Sequence, residues 1–127
     1  MAYRYDHMHL RTRDVKKTAE YYQRVFGAKI LESIQSDGKP RTDFDLDGLT
    51  IFIAPVAPEA AIPSAPTEPY IGLDHFGLRV DNMETAVAEL KRRGATFKME
   101  PRTLRPGVKI AFIEAPDNVR IELLERT

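Results

Sequence analysis

The feature that most constrains this chain is an internal repeat. The stretches "YDHMHLRTRDV" and "LDHFGLRVDNM" both contain Asp-His-x-x-Leu-Arg, at Asp6 to Arg11 and again at Asp74 to Arg79, an offset of 68 residues. Each phrase runs on into a helix-like segment, "DVKKTAEYYQRVFGAKI" in one copy and "NMETAVAELKRRGATF" in the other. Both segments close on Gly-Ala (Gly27-Ala28 and Gly94-Ala95), where glycine suits the position just past a helix. Val15, Ala19, Tyr22 and Phe26 recur at helical spacing in the first, and Met83, Val87 and Leu90 in the second, so each helix has one apolar stripe. At an offset of 70, Gly48 to Ile53 falls on Asn118 to Leu123. One supersecondary unit used twice accounts for all of this.

Short strand candidates follow each helix. The first copy offers "AKILESI", "RTDFDLDG" and "LTIFIAP"; the second offers "ATFKME", "VKIAFIEAP" and "VRIELLE". Turn residues separate them at Ser36-Asp37-Gly38, Asp47-Gly48, Pro106-Gly107 and Pro116-Asp117-Asn118. Each half therefore reads strand-helix-strand-strand-strand, and the expected fold is a single α+β domain of two βαβββ modules. Module one covers about 3–55 and module two about 71–127. The Pro/Ala-rich stretch at about 56–70 reads as a semi-extended linker.

The totals exclude several classes of function. Nineteen basic residues balance nineteen acidic ones, so no overall field attracts nucleic acid or an anionic membrane. No apolar run is long enough to span a bilayer. "MAYRYDHMHLR" does not read as a secretory signal, which makes the cytoplasm the expected compartment. The absence of cysteine removes disulfides, thiolate metal sites and a cysteine nucleophile.

Alternation along a strand sends Met8, Leu10, Phe76 and Leu78 toward the helices, and His7, His9 and Arg11 to the other face with His75 and Arg79. In "VRIELLE", Ile121 and Leu123 are the natural core residues, leaving Glu122 on the face turned away from the helices. A carboxylate in such a strand is costly if buried unpaired, and a shared cation resolves the cost. Two of only three histidines at matching points of a repeat, plus that carboxylate, give the candidate ligand set His7, His75 and Glu122. Such a set suits a divalent ion (Fe, Mn, Ni or Zn) with coordination positions left open. Phe52 occupies the place in module one that Glu122 has in module two.

This arrangement resembles the vicinal oxygen chelate superfamily, which includes glyoxalase I, bleomycin-resistance proteins, extradiol dioxygenases and fosfomycin-modifying transferases. The resemblance rests on "HMHLRTRDVKKTAEYYQRVFGAKI", "LDHFGLRVDNMETAVAELKRRGA" and "AFIEAPDNVRIELLER", in that order. It implies half-barrels built from the paired modules around one divalent metal ion per site, with His7, His75 and Glu122 as ligands. Phe52 stands where glyoxalase I carries a glutamate, so the set looks more like the two-histidine, one-glutamate arrangement of the dioxygenases and fosfomycin-modifying enzymes. Asn118 replaces a usual glycine, and asparagine tolerates the left-handed turn that position requires.

The resemblance further implies a small-molecule substrate that chelates through neighbouring oxygens, and a homodimer with the site at the subunit interface. Glu122 is expected to double as a proton carrier, and His9, on the ligand face, as a catalytic acid, base or hydrogen-bond donor. His9 is also the competing candidate for the ligand role of His7; the match to His75 favours His7. Arg11 resembles an arginine that contacts the anionic part of a thiol conjugate, or it pairs with a carboxylate at the dimer seam. Phe52 is expected at the substrate; Tyr3, Tyr5 and Tyr70 wall the same pocket or belong to the interface. The expected enzyme is a metal-dependent lyase or isomerase, or an extradiol-type dioxygenase. The alternative is a non-catalytic, ligand-sequestering protein of the bleomycin-resistance type, and a metal-free scaffold is a third reading.

Overall fold

A computed structural model describes residues 2–127. The chain divides into two compact units, Met1–Ile62 and Pro63–Thr127. The first contains β1 (His7–Thr12), α1 (Val15–Phe26), β2 (Lys29–Ile34), β3 (Pro40–Leu46) and β4 (Leu49–Pro55). The second contains β5 (Phe76–Arg79), α2 (Met83–Arg92), β6 (Thr96–Arg105), β7 (Val108–Ala115), a short 3-10 turn at Pro116–Asn118 and β8 (Val119–Arg126). Both units follow the βαβββ order read from the repeat. No strand or helix lies between Pro55 and Phe76.

The two sheets have the same topology, β1-β4-β3-β2 and β5-β8-β7-β6. In each, the first strand lies at an edge and runs parallel to the last. A parallel neighbour cannot be reached through a tight turn. The helix carries the chain from that edge strand to the opposite edge strand, β1 to β2 and β5 to β6, covering the face it crosses, and two antiparallel turns then bring the last strand beside the first.

Side-chain burial follows from this. Tyr22, Val25, Phe44 and Ile51 are fully buried in the first unit, with the rings of Tyr22 and Phe44 stacked at 4.5 Å. Met83, Ile113, Ile121 and Leu123 fill the second. At about 25 cal/mol per Å² of apolar surface, burial on this scale is the main force holding each sheet to its helix.

The helix ends match their sequence signals. Asp14 accepts a hydrogen bond from the Lys17 N–H at 3.0 Å, and Asn82 from the Thr85 N–H at 2.9 Å, satisfying donors that the first turn cannot pair. Gly27 takes a left-handed φ of 70° as α1 ends. Asn118 is left-handed too, at φ 60°, beside Asp117 at 61°, and its side-chain amide donates to the Ala65 carbonyl at 3.0 Å.

Two details depart from the sequence reading. Strand β6 continues past "ATFKME" to Arg105, with register shifts along its pairing to β7. Pro101 is tolerated there because β6 is an edge strand. The ladder of β5 starts at Phe76, so His75 precedes its strand, whereas His7 opens β1.

Glu125 is a carboxylate on the core face of β8 that the strand pattern did not mark. It is 6% exposed and accepts the Met83 N–H at 2.8 Å, so it caps α2 from the sheet.

Candidate functional site

The register confirms the repeat at the level of single residues. In the first unit His9 lies opposite Phe52; in the second Gly77 lies opposite Glu122. Gly77 is the counterpart of His9 at the offset of 68. Where β1 sets an imidazole beside Phe52, β5 adds no side chain beside Glu122. Ile121 and Leu123 are buried, and Glu122 between them faces the other way with its side chain 18% exposed.

His75 and Glu122 come together in the second unit, with His75 Nε2 3.5 Å from Glu122 Oε2. Asp74 fixes the imidazole from behind, its Oδ2 lying 2.6 Å from His75 Nδ1. An ionised carboxylate can only accept, so Nδ1 carries a hydrogen, and in the neutral imidazole the lone pair is then on Nε2, on the side of Glu122. This is the carboxylate–histidine arrangement that sets tautomer and ring orientation for a metal ligand.

Arg120 holds Asp74 in turn, its Nη1 lying 2.9 and 3.1 Å from the two carboxylate oxygens. The Arg120 guanidinium lies 4.7 Å from the centre of the Phe112 ring, and His75 meets that ring edge-on at 5.0 Å. The hydrogen bond from His75 holds the Asp74 carboxyl below the usual carboxylate range, outweighing the opposing effect of burial, and the Arg120 charge adds to it in the same direction. Asp74 is therefore ionised at neutral pH, as its acceptor role requires.

The His75–Glu122 pair fits a divalent cation. Nitrogen and oxygen ligands about 2.0–2.2 Å from a tetrahedral ion stand ~3.4 Å apart, close to the 3.5 Å found. The same distance is long for a direct N–H···O hydrogen bond, which is commonly about 2.9–3.0 Å.

The first unit repeats part of this. His7 Nδ1 lies 2.6 Å from Asp6 Oδ2, which in the neutral ring again puts the lone pair on Nε2. Here no arginine holds the aspartate: Thr50 stands at the position corresponding to Arg120, and the Asp6 side chain is 86% exposed. The His7 ring stacks on Phe52 at 4.0 Å, and His9 meets Phe52 edge-on at 6.3 Å. The Arg41 guanidinium lies 4.5 Å from the Phe52 ring centre while its Nε donates to Asp43 at 2.7 Å.

The expected ligands are thus present as a pair, His75 with Glu122, and as His7 in the first unit. Among the described residues no group of three or more His, Cys, Asp or Glu side chains is gathered closely enough to hold a metal ion. Arg11 is exposed and makes no ion pair among the described residues. Tyr3 and Tyr5 are exposed, and the Tyr70 hydroxyl donates to the Leu73 carbonyl at 2.6 Å. Asp6, Asp74, Arg120, Phe112 and Arg41 are contributors that the sequence reading missed. The Asp-His dipeptide was visible in both copies, and Arg120 lies two residues before Glu122 on the same strand face. No helix among the described residues is long and apolar enough to cross a membrane.

Comparison with known proteins places the fold and the family. The chain is 28% identical to a lactoylglutathione lyase of Escherichia coli O157:H7 over 126 residues, covering 94% of this chain and 90% of that protein. It is 43% identical to a probable chloroplastic lactoylglutathione lyase of Arabidopsis thaliana over 56 residues, but spans only 16% of that protein's length. It spans 48% of a lactoylglutathione lyase of Schizosaccharomyces pombe, at 28% identity.

Among solved structures, a glyoxylase/bleomycin resistance protein/dioxygenase domain from Frankia sp. EAN1pec superposes with a TM-score of 0.77 at 23% identity, each chain covered fully. The fosfomycin resistance protein FosX from Mesorhizobium loti gives 0.68 at 19% identity, covering 100% of this chain and 94% of that one. These two likenesses establish the fold. The sequence profile that matches residues 4–123 is that of the Glyoxalase/Bleomycin resistance protein/Dioxygenase superfamily, and the chain belongs to that family.

Proposed function

We propose that this protein is a divalent-metal-dependent enzyme acting on a small substrate that chelates through neighbouring oxygens, with chemistry of the lyase or isomerase kind. The observation that carries the reading is the array Arg120–Asp74–His75–Glu122, which presents one nitrogen and one oxygen donor 3.5 Å apart. His75 Nε2 and Glu122 Oε2 would hold the ion (Fe, Mn, Ni or Zn), with His7 Nε2 as the third protein ligand. In the proposed homodimer, His7 of one subunit serves the pair of the other. The lyase reading draws support from the 28% identical Escherichia coli relative; without it, an extradiol-type dioxygenase would fit the same three ligands.

A bound divalent ion would supply Lewis acidity, withdrawing electron density from the substrate oxygens. The chain's own residues supply the rest. Asp74 keeps the hydrogen on His75 Nδ1 and the lone pair on Nε2. Glu122 has one carboxylate oxygen to spare for taking a proton from a substrate carbon and returning it to a neighbouring one. His9, beside Phe52, is placed to donate to or accept from substrate. Phe52 cannot act as a base where glyoxalase I carries a glutamate, so proton transfer falls to the Glu122 side.

The test is turnover of thiol adducts of ketoaldehydes by protein loaded with each metal, beside Glu122→Gln and His75→Ala. Loss of at least a hundredfold in kcat with Glu122→Gln supports the reading, and unchanged turnover contradicts it. A second reading, ligand sequestration without catalysis, is favoured by the stack of His7, Phe52 and Arg41, an aromatic and cationic surface suited to a flat ligand. Tight ligand binding that survives complete chelation, with no turnover, would select it.

A further inference from the structure

The first unit contains a cleft of about 450 Å³ whose ionisable lining groups are all basic: His9, Lys16, Lys39 and Arg41. In a chain whose nineteen Lys and Arg balance nineteen Asp and Glu, three of those cations and no acidic residue around a single cleft is a local bias. Lys16 and Lys39 form no ion pair among the described residues. Arg41 gives its Nε to the buried Asp43 at 2.7 Å, a bond that fixes the guanidinium and leaves its terminal nitrogens to other partners. Val15 and Ile53 add apolar lining.

The cleft adjoins the surface described above. Arg41 lies over Phe52 at 4.5 Å, Phe52 stacks on His7 at 4.0 Å, and His9 both lines the cleft and meets Phe52 edge-on. The Arg41 end of the cleft thus adjoins the ring on which His7 stacks. The size suits the end of a small organic molecule. Lysines act there as point charges, and the arginine as a planar fork for carboxylate or phosphate oxygens.

We infer that this cleft is an anion-binding site that takes the carboxylate, phosphate or phosphonate group of a small organic ligand. The inference stands on the first unit alone and is independent of the metal-dependent reading.

The experiment uses phenylphosphonate as probe and benzyl alcohol as its neutral counterpart, followed by amide NMR on metal-stripped full-length His75→Ala protein, which lacks a complete metal site. Saturable shifts confined to residues 15–16 and 35–42, weakened at least tenfold in Lys16→Ala/Lys39→Ala and absent with benzyl alcohol, support the cleft. Both lysines are exposed, so their removal leaves the fold intact; near-identical amide spectra of the variants outside the cleft check this. Shifts scattered over the surface, or shifts equally strong with benzyl alcohol or in the double variant, overturn it. Metal uptake by wild-type protein is scored separately: uptake without phosphonate binding removes the cleft and keeps the metal reading, and phosphonate binding without uptake does the reverse.

Discussion

His75 and Glu122 face each other through Nε2 and Oε2 at 3.5 Å, and neither atom has a shorter partner among the described residues. Both belong to the second unit, one just ahead of its edge strand and the other in the parallel strand beside it. Because Glu122 points away from the core, its charge is separable from folding. Glu122→Gln is expected to change stability by less than about 0.5 kcal/mol while greatly weakening metal retention. Urea denaturation of the metal-free protein, set beside metal titration, checks both halves; a large loss of stability would mean that Glu122 serves the fold.

Arg120 reaches this pair through Asp74 and through the Phe112 ring, which His75 also meets. Arg120→Ala leaves the ligands in place but frees the carboxylate that orients His75, and loss of such a partner typically costs about 10–100-fold in metal affinity. Arg120→Lys should recover part of it, because a point charge still attracts Asp74 but cannot match its two oxygens. Nitrogen-detected NMR gives the readout that packing alone would not move: the His75 tautomer should be the Nδ1–H form in wild type and a mixture in Arg120→Ala. An unchanged tautomer ratio would remove Arg120 from the site.

The Asp74 carboxyl should titrate below the usual aspartate value of 3.8, because its hydrogen bond from His75, aided by the Arg120 charge, outweighs the opposing effect of burial. A lowered pKa in the folded state stabilises the protein above the unfolded pKa, and that contribution is lost as pH falls through the folded one. Carbon NMR of the metal-free protein reads the titration directly. In Arg120→Ala the midpoint should rise; a midpoint at or above 3.8 in wild type would contradict the geometry.

Glu125 offers a stability prediction independent of the metal. Its carboxylate is buried and accepts the Met83 N–H at 2.8 Å, with Lys109 3.9 Å away. Glu125→Ala leaves that N–H without an acceptor and opens space beside α2, at a cost of about 1–3 kcal/mol. Metal content should be unchanged. Equal stability of the variant, by denaturant unfolding, would show that water replaces the carboxylate without penalty.

Much of the fold was legible because it rests on local, repeated patterns. Helical stripes, Gly-Ala stops and turn residues each act within a few positions, and two copies of each reinforced one another. Alternation placed Glu122 off the core face because Ile121 and Leu123 on either side demanded burial. What escaped was set by distant partners. Arg120 meets Asp74 across 46 residues of sequence, and Glu125 meets Met83 across 42; no periodicity marks either contact. The Asp-His dipeptide was noticed as a repeat, but the orienting role of the aspartate shows only once its Oδ2 is seen 2.6 Å from Nδ1 in both units. Strand β6 outran its sequence signal because an edge strand with bulges accepts Pro101 and polar residues that a central strand would reject.

The most direct test of the central claim is elemental mass spectrometry of freshly purified, untagged protein beside His75→Ala, Glu122→Ala and His7→Ala. The account predicts about one Fe, Mn, Ni or Zn per chain in wild type, lost in the His75 and Glu122 variants and reduced in the His7 variant. Full metal content in all three variants, or none in wild type even after reconstitution, would contradict it.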